Sequence, residues 1–180
     1  MTKIIGILNL TLDSFSDGGM YYDLESAKKH ISEMIKQGAD IIDIGAESTR
    51  SGFSDVSADD QINTLAPVIE FMNKNHDIKI SIDTRSSNVI SAFSGQQIFF
   101  VNDVSSGFHD KDMLKTVSDL ECNYIMTHMP DEHQKGLNKK YTNVLDELDI
   151  FFNERIKSCI DQGIDKEKII IDPGIGFGKS

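Results

Sequence analysis

The sequence is poor in several features, and each shortage excludes a class of protein. Its 180 residues include only two cysteines, Cys122 and Cys159, which lie far apart and form no C-x-x-C pair, so no zinc knuckle is predicted. Two reduced, buried thiols are typical of a cytoplasmic protein. No apolar run reaches the roughly 20 residues that a membrane-spanning helix needs. The N-terminal stretch MTKIIGILNL becomes polar too soon for a signal peptide.

Positive charge is also in short supply. There are 18 Lys and Arg against 29 Asp and Glu, giving a formal net charge of −11. A chain this acidic is a poor candidate for binding nucleic acid or an anionic membrane. An anionic ligand would therefore need local positive charge, from an arginine, a helix N-terminus or a metal ion.

Six short apolar runs are the most prominent feature of the sequence, and amphipathic stretches lie between most of them. The runs do not alternate polar and apolar residues, which is typical of parallel strands buried on both faces. A strand–helix unit repeated about six times predicts a parallel α/β fold. No linker or low-complexity segment divides residues 1–180, so a single domain is expected. The predicted strands are 4–8, 40–45, 78–83, 98–103, 123–128 and 169–174.

Local signals predict where three of the helices begin, end or break. Asp23 can cap the first helix, and Gly38 and Gly163 supply stops for the first and the last. Pro67 lies inside a helical pattern and is expected to kink or interrupt it.

Polar side chains end every predicted strand. A single Asp after a strand is often only a helix cap or a turn residue. Recurrence at strand after strand favours a binding site instead, because ligands of parallel α/β folds sit at the carboxyl ends of the strands. A ring of carboxylates and amides suits a flat heterocycle with several N–H groups and carbonyls. These residues are Asn9, Asp43, Glu47, Asp83, Asn102, Asp103, His128 and Asp172.

The glycine-rich ending DPGIGFGKS superficially suggests a phosphate loop. The pattern G-x-x-x-x-G-K-[ST] requires a glycine at position 173, which is Pro173, so a nucleotide triphosphatase is rejected. What remains is a turn after a strand, with Phe177 able to lie against a ligand ring.

Five motifs occur in one order that resembles the dihydropteroate synthase family. They are NLTLDSFSDGG at 9–19, DIGAESTRSG at 43–52, SIDT at 81–84, NDVSSG at 102–107 and DPGIGFGK at 172–179. The resemblance implies a TIM (β/α)8-type barrel, of which only about six βα units are present. It also implies that 6-hydroxymethyl-7,8-dihydropterin diphosphate condenses with p-aminobenzoate to give dihydropteroate and diphosphate, in folate biosynthesis. Sulfonamides compete for the aminobenzoate place in that family.

The resemblance assigns roles to individual residues. Asp83, Asn102 and Asp172 would hold the pterin ring, and Asn9 would touch the diphosphate and its Mg²⁺. Thr49 and Arg50 would lie near the diphosphate and the aminobenzoate, and Arg50 and Asp83 are the expected catalytic residues. The two aromatic residues expected to pack around the substrates are Phe15 and Phe177.

Departures from the family pattern leave the activity of these 180 residues open. Ser51 stands where the family usually has proline, beside the aminobenzoate place, so sulfonamide sensitivity is uncertain. The family continues through two more βα units, which carry a lysine, an Arg-x-His pair and the helices it commonly uses to form homodimers. The chain alone is therefore expected to lack synthase activity. It would be a fragment of a longer synthase, a pterin-binding remnant or half of a split enzyme. A pterin-dependent methyltransferase domain is an outside alternative.

Overall fold

A computed structural model describes residues 2–10, 24–47, 55–130 and 139–179. These residues form one six-stranded parallel sheet in which every strand pairs with the next strand of the chain. All six predicted strands are confirmed. They are β1 (Ile5–Asn9), β2 (Ile41–Gly45), β3 (Lys79–Asp83), β4 (Ile98–Asp103), β5 (Asn123–Thr127) and β6 (Ile169–Asp172).

Helices connect the strands, and a 3₁₀ turn at Lys166–Lys168 precedes β6. The predicted stops at Gly38 and Gly163 are confirmed, since both glycines follow a helix end with positive φ, 101° and 93°. The predicted cap Asp23 lies outside the described residues. None of the described helices combines the length and apolar character that a membrane span requires. The helices are α1 (Leu24–Lys36), α2 (Ala58–Asn75), α3 (Ser87–Ala92), α4 (Met113–Asp119) and α5 (Val144–Asp161).

Helix α2 continues past Pro67, so the interruption expected from the sequence is absent. Proline removes one backbone hydrogen bond from a helix interior. Burial of an apolar face compensates, because most of the stability of a protein helix comes from tertiary packing. That buried face includes Leu65, Val68, Ile69 and Met72.

The two faces of the sheet differ in chemistry. One face packs under the helices and supplies core residues such as Ile44, Ile82 and Tyr124. The other carries polar side chains toward its carboxyl end, including Asp43 and Asp83. Consecutive parallel strands with connecting helices are the arrangement of a TIM-type α/β fold, which confirms the predicted class. Among the described residues neither β1 nor β6 has a second strand neighbour, so the sheet is open.

A β-bulge interrupts the pairing of β3 with β4. Ile80 lies opposite Ile98, but the next residue, Ser81, lies opposite Phe100, so Phe99 is an extra residue in β4. Ile98 packs against the helix-side core. The extra residue reverses the alternation of β4 and directs Asn102 to the opposite face.

Candidate functional site

Three of the predicted site residues lie in one row across the carboxyl ends of the first four strands. Asn9 pairs with Gly45, Gly45 with Asp83, and Asp83 with Asn102, and paired residues of parallel strands face the same side. Gly45, between Asn9 and Asp83 in this row, has no side chain to crowd Asp83. A Cβ at Gly45 would lie 3.1 Å from the Cβ of Asp83. The strand ends thus place Asn9, Asp83 and Asn102 around a common space.

Asp172 joins the same face from β6. The row continues from Asn102 through Ile125 to Ile170, and Asp172 lies two residues further toward the carboxyl end of its strand. Because strand side chains alternate between faces, that even spacing places Asp172 on the same side as Asn102. Asp172 is exposed, and its Oδ1 accepts a hydrogen bond from the Gly174 N–H at 2.8 Å.

The amide of Asn102 has its orientation fixed by a buried carboxylate. Its Nδ2 donates to Oδ2 of Asp43 at 2.9 Å. A carboxylate accepts hydrogen bonds, so the amide nitrogen must face Asp43, and the amide oxygen is left as the acceptor that a ligand would meet.

Two polar atoms on the floor of this space have no hydrogen-bond partner among the described residues. They are Oδ1 of Asp43 and Oγ of Ser81, which face each other in the β2–β3 register. Both residues are almost completely buried. Buried polar groups are nearly always paired, with protein, water or ligand. Because the two atoms face each other, they can pair with one another or through an ordered water.

Negative charge is concentrated around Asp83. Burial raises the pKa of the Asp83 carboxyl well above its usual range, and the nearby carboxylates of Asp43, Asp103 and Glu47 raise it further. The guanidinium of Arg85 opposes this rise. Burial also raises the pKa of Asp43, although the Ser81 hydroxyl and the Asn102 amide counteract part of the effect. The site is therefore poised to take up a proton, or a ligand carrying hydrogen-bond donors and positive charge.

The glycine-rich segment after β6 is anchored to the end of β5. The Nζ of Lys179 donates to the carbonyl oxygens of His128 and Gly174, at 2.7 and 2.8 Å. Gly174 has φ +62°, and a Cβ there would lie 2.4 Å from the His128 carbonyl oxygen, so only glycine fits. The partly buried Phe177 lies over this turn and donates its N–H to the Gly174 carbonyl at 2.9 Å.

Three predicted site residues, Phe15, Thr49 and Arg50, lie outside the described residues. The structure also adds groups that the sequence did not single out as binding residues. The sequence predicts Asp43 only as a strand-end residue. Arg85 is not among the predicted site residues, although its position directly after the SIDT strand end is a signal for it.

Comparisons with known proteins agree on one family. The model of the family described as "Pterin binding enzyme" matches residues 5–180. The dihydropteroate synthase of Clostridium beijerinckii is 40% identical over 179 residues, which cover 99% of this chain and 64% of that protein.

Two solved structures have the same fold. A dihydropteroate synthase from Clostridium difficile, in the presence of pteroic acid, has a TM-score of 0.88 and 39% identity, covering 99% of this chain and 66% of that one. The Yersinia pestis enzyme in a sulfonamide drug complex has a TM-score of 0.90 and 34% identity, covering 99% and 65%. The chain thus spans slightly less than two thirds of these relatives.

Proposed function

Because the chain belongs to the pterin-binding enzyme family, we propose that it forms the pterin-binding part of a dihydropteroate synthase. The reaction would join 6-hydroxymethyl-7,8-dihydropterin diphosphate to p-aminobenzoate, giving dihydropteroate and diphosphate. Relatives that are 34–40% identical to this chain over the aligned residues carry that name, and one of them was solved in the presence of pteroic acid. We further propose that the protein is cytoplasmic.

The observation that carries this proposal is the set of groups at the carboxyl ends of β2, β3 and β4. Asp83 supplies carboxylate oxygens, and Asn102 presents its amide oxygen because Asp43 holds its nitrogen. A pterin offers ring N–H groups and an exocyclic amine as donors, which match such acceptors. Asp172 would accept from the pterin at the other side of the space, where hydrogen bonds to an ionised carboxylate are stronger than neutral ones.

The negative surroundings of Asp83 also suit the proposed chemistry. The C–O bond between the pterin methylene and the diphosphate breaks, and the diphosphate leaves with the bonding electrons. The arylamine nitrogen then bonds to the methylene carbon and loses a proton. Positive charge that develops on the pterin would be stabilised by the preorganised carboxylates. No side-chain nucleophile is needed, since the protein supplies position and charge.

Asn9 fits a place beside a magnesium ion. No group of three or more His, Cys, Asp or Glu residues in the described part of the chain could hold a metal. Mg²⁺ commonly keeps several waters and binds substrate phosphates with only one or two protein oxygens. The exposed Asn9 amide oxygen could be such a ligand, and the ion would neutralise the leaving diphosphate.

Ligand binding to the purified chain tests the proposal. Isothermal titration with 6-hydroxymethyl-7,8-dihydropterin should show binding to the wild type, weakened about 10–100-fold in Asp83→Asn and Asn102→Ala. Lys115→Ala is the matched control, because the exposed Lys115 side chain pairs with the exposed Asp119 on α4. A wild type that binds no pterin, or variants that bind equally well, would contradict the assignment.

Turnover measurements separate an active synthase from a non-catalytic pterin-binding protein and from a methyltransferase. The C-terminal third of the C. beijerinckii synthase, supplied as a separate polypeptide, should allow formation of dihydropteroate from the diphosphate and p-aminobenzoate. A sulfonamide should inhibit by competing with p-aminobenzoate. Pterin binding without turnover, even with that supplement, would favour a non-catalytic pterin-binding protein. Methyl transfer from a methylated pterin would favour the methyltransferase alternative.

A further inference from the structure

The buried carboxylate of Asp103 has no part in the proposed chemistry, yet four hydrogen bonds converge on it. Asp103 ends β4 and is 0% exposed. Its Oδ1 accepts from the N–H and the hydroxyl of Ser105, at 2.8 and 2.6 Å. Its Oδ2 accepts from the Gly107 N–H at 2.7 Å and from the Tyr124 hydroxyl at 2.8 Å. A carboxylate has about four lone-pair sites, so these bonds satisfy the buried group.

These bonds fasten the carboxyl end of β4 to its own turn and to β5. Tyr124 belongs to β5 and lies in the helix-side core. Burial raises the pKa of its hydroxyl, and the Asp103 charge raises it further, so the hydroxyl remains a donor. In the turn, Ser106 has a φ of 54°, which is uncommon for a residue other than glycine. Its Oγ donates to the Thr127 carbonyl of β5 at 2.8 Å, so the turn is tied to β5 at a second point.

The fastening bears on Asn102, the residue before Asp103 in β4. Consecutive strand residues face opposite sides, so Asp103 in the helix layer places Asn102 on the ligand side. The bulge makes this fastening important. Regular pairing through Phe99 would turn Asn102 into the helix layer, so pairing that begins at Ile98 does not by itself select its face. The bonds to Asp103 lie beyond the bulge and hold the strand end in the observed register.

We propose that Asp103 is a positioning residue that holds Asn102 on the ligand side, with its amide oxygen aimed at the pterin. The inference rests on the proposed function, because the pterin is the ligand assigned to Asn102. Asp103 lies on the opposite side of the sheet, so it acts through the β4 backbone rather than by touching the ligand. Supporting residues of this kind determine how precisely a binding group is held. Loss of one bond to its carboxylate should therefore weaken pterin binding without removing any contacting group.

Single-atom variants test the proposal more cleanly than replacement of Asp103, which would leave four buried donors without a partner. Tyr124→Phe deletes one hydroxyl and Ser105→Ala deletes another, and both keep the carboxylate. Isothermal titration with 6-hydroxymethyl-7,8-dihydropterin should show binding weakened about 3–10-fold in each. The fitted stoichiometry reports the folded fraction, so lower affinity is separated from unfolding. Wild-type affinity in the folded variants would overturn the proposal.

Ser158→Ala is the matched control for Ser105→Ala. The Ser158 hydroxyl is exposed on α5 and donates to the Glu154 carbonyl oxygen at 3.0 Å. Its loss removes the same chemical group from a place outside the site. Pterin affinity should therefore equal that of the wild type, and a loss as large as in Ser105→Ala would overturn the proposal.

A double-mutant cycle separates positioning from an effect of charge, because the Asp103 carboxylate also raises the pKa of Asp83. In an Asn102→Ala background, Tyr124→Phe should change pterin affinity less than about twofold, since the positioned amide is gone. In an Asp172→Asn background, Tyr124→Phe should keep its full effect. Equal losses of affinity in both backgrounds would mean that the bond acts through another group, which would overturn the proposal.

A measurement without ligand also tests the positioning role. In ¹H–¹⁵N spectra, the Asn102 side-chain amide is identified by its disappearance in Asn102→Ala. Its signals should move in Tyr124→Phe, because its hydrogen bond to Asp43 changes with the position of the strand end. The side-chain amide of Asn73 is the internal reference and should keep its position, since it donates to Gln96 beside α2 at 2.7 Å.

The two measurements distinguish failure of this inference from failure of the proposed function. A wild type that binds no pterin would contradict the function, while the amide signals would still decide whether Asp103 positions Asn102. A wild type that binds the pterin, with Asn102 amide signals unmoved in Tyr124→Phe, would contradict only the role of Asp103.

Discussion

The central strands and the edge strands of the sheet have similar sequences but opposite surroundings. All five residues of β2 are buried, and Ile82 in β3 is 0% exposed. On the edges, Ile7 in β1 is 62% exposed and Ile171 in β6 is 51% exposed. Isoleucine dominates both sets, so residue type alone does not decide burial.

The difference shows that neighbours, rather than composition, make a strand part of the core. Each central strand has a strand on both sides and helices across one face, whereas β1 and β6 each have one strand neighbour among the described residues. Exposed apolar side chains on an unpaired strand edge favour association with another strand. The chain spans less than two thirds of its relatives, which contain additional residues that could cover such edges.

The largest expected contrast is in stability. Ile82→Ala should lower the free energy of unfolding by about 2–5 kcal/mol, because it leaves a cavity between β3 and the helices. Ile7→Ala should change it by less than about 1 kcal/mol, since that side chain is mostly exposed. Urea unfolding followed by circular dichroism measures both. Equal losses of unfolding free energy in the two variants would show that Ile7 is covered in solution, which would contradict the contrast between central and edge strands.

Asp83 on the central strand β3 and Asp172 on the edge strand β6 provide a second contrast. Asp83 has a raised pKa, so the folded state binds a proton more tightly than the unfolded state does. Stability should therefore fall as the pH rises from the usual Asp range toward the raised value. Asp83→Asn should reduce this fall and raise Tm by a few degrees at pH 7, where about 2–4 °C corresponds to 1 kcal/mol. Asp43 contributes in the same direction, so some pH dependence should remain.

Asp172→Asn on edge strand β6 is the matched control, because Asp172 is exposed and its side chain accepts a local hydrogen bond from the Gly174 N–H. Its Tm at pH 7 should stay close to that of the wild type. Thermal scans from pH 4 to pH 8 would compare the three proteins. A lower Tm for Asp83→Asn at pH 7 would mean that the carboxylate stabilises the unliganded fold.

A third prediction concerns the space beside Asp83. Gly45→Ala would place a Cβ 3.1 Å from the Asp83 Cβ and 3.3 Å from its Oδ2, so Asp83 must shift by a few tenths of an ångström. We expect a loss of about 1 kcal/mol in stability, in the range typical of overpacking, together with weaker pterin binding. Gly95→Ala is the control, because nothing lies within 4 Å of a Cβ there. Unimpaired pterin binding by Gly45→Ala would remove Gly45 from the site.

The smallest effect on stability is expected at the edges. Ile7→Thr and Ile171→Thr should each change the free energy of unfolding by within about 0.5 kcal/mol. Both should nevertheless reduce concentration-dependent self-association, because they lower the apolar character of the open edges. Light scattering over a dilution series measures this. Unchanged association in both variants would locate the contact surface elsewhere.

The sequence was most informative where local chemistry determines structure. The six strands and the stops at Gly38 and Gly163 are confirmed, because apolar runs and left-handed glycines act locally. The interruption expected at Pro67 is absent, because the burial of the Leu65 and Met72 side chains is a tertiary effect. In the site, Asp83 and Asn102 were found at the strand ends. The hydrogen bonds from Arg85 to Glu47 and Asp55 were not predicted. They join residues 38 and 30 positions apart, and no local pattern encodes such contacts.

The bulge at Phe99 lets β4 carry one extra residue while Asn102 keeps its place opposite Asp83. Replacing Phe99 by another residue would leave Asn102 on the polar face. Deleting it would pair Ile98 and Phe100 with consecutive residues of β3 and leave Asn102 opposite Asp83, whereas regular pairing through Phe99 would turn Asn102 into the helix layer and bring Val101 beside Asp83. At this position, natural variation should therefore tolerate both the substitution and the loss of Phe99, which is itself 40% exposed.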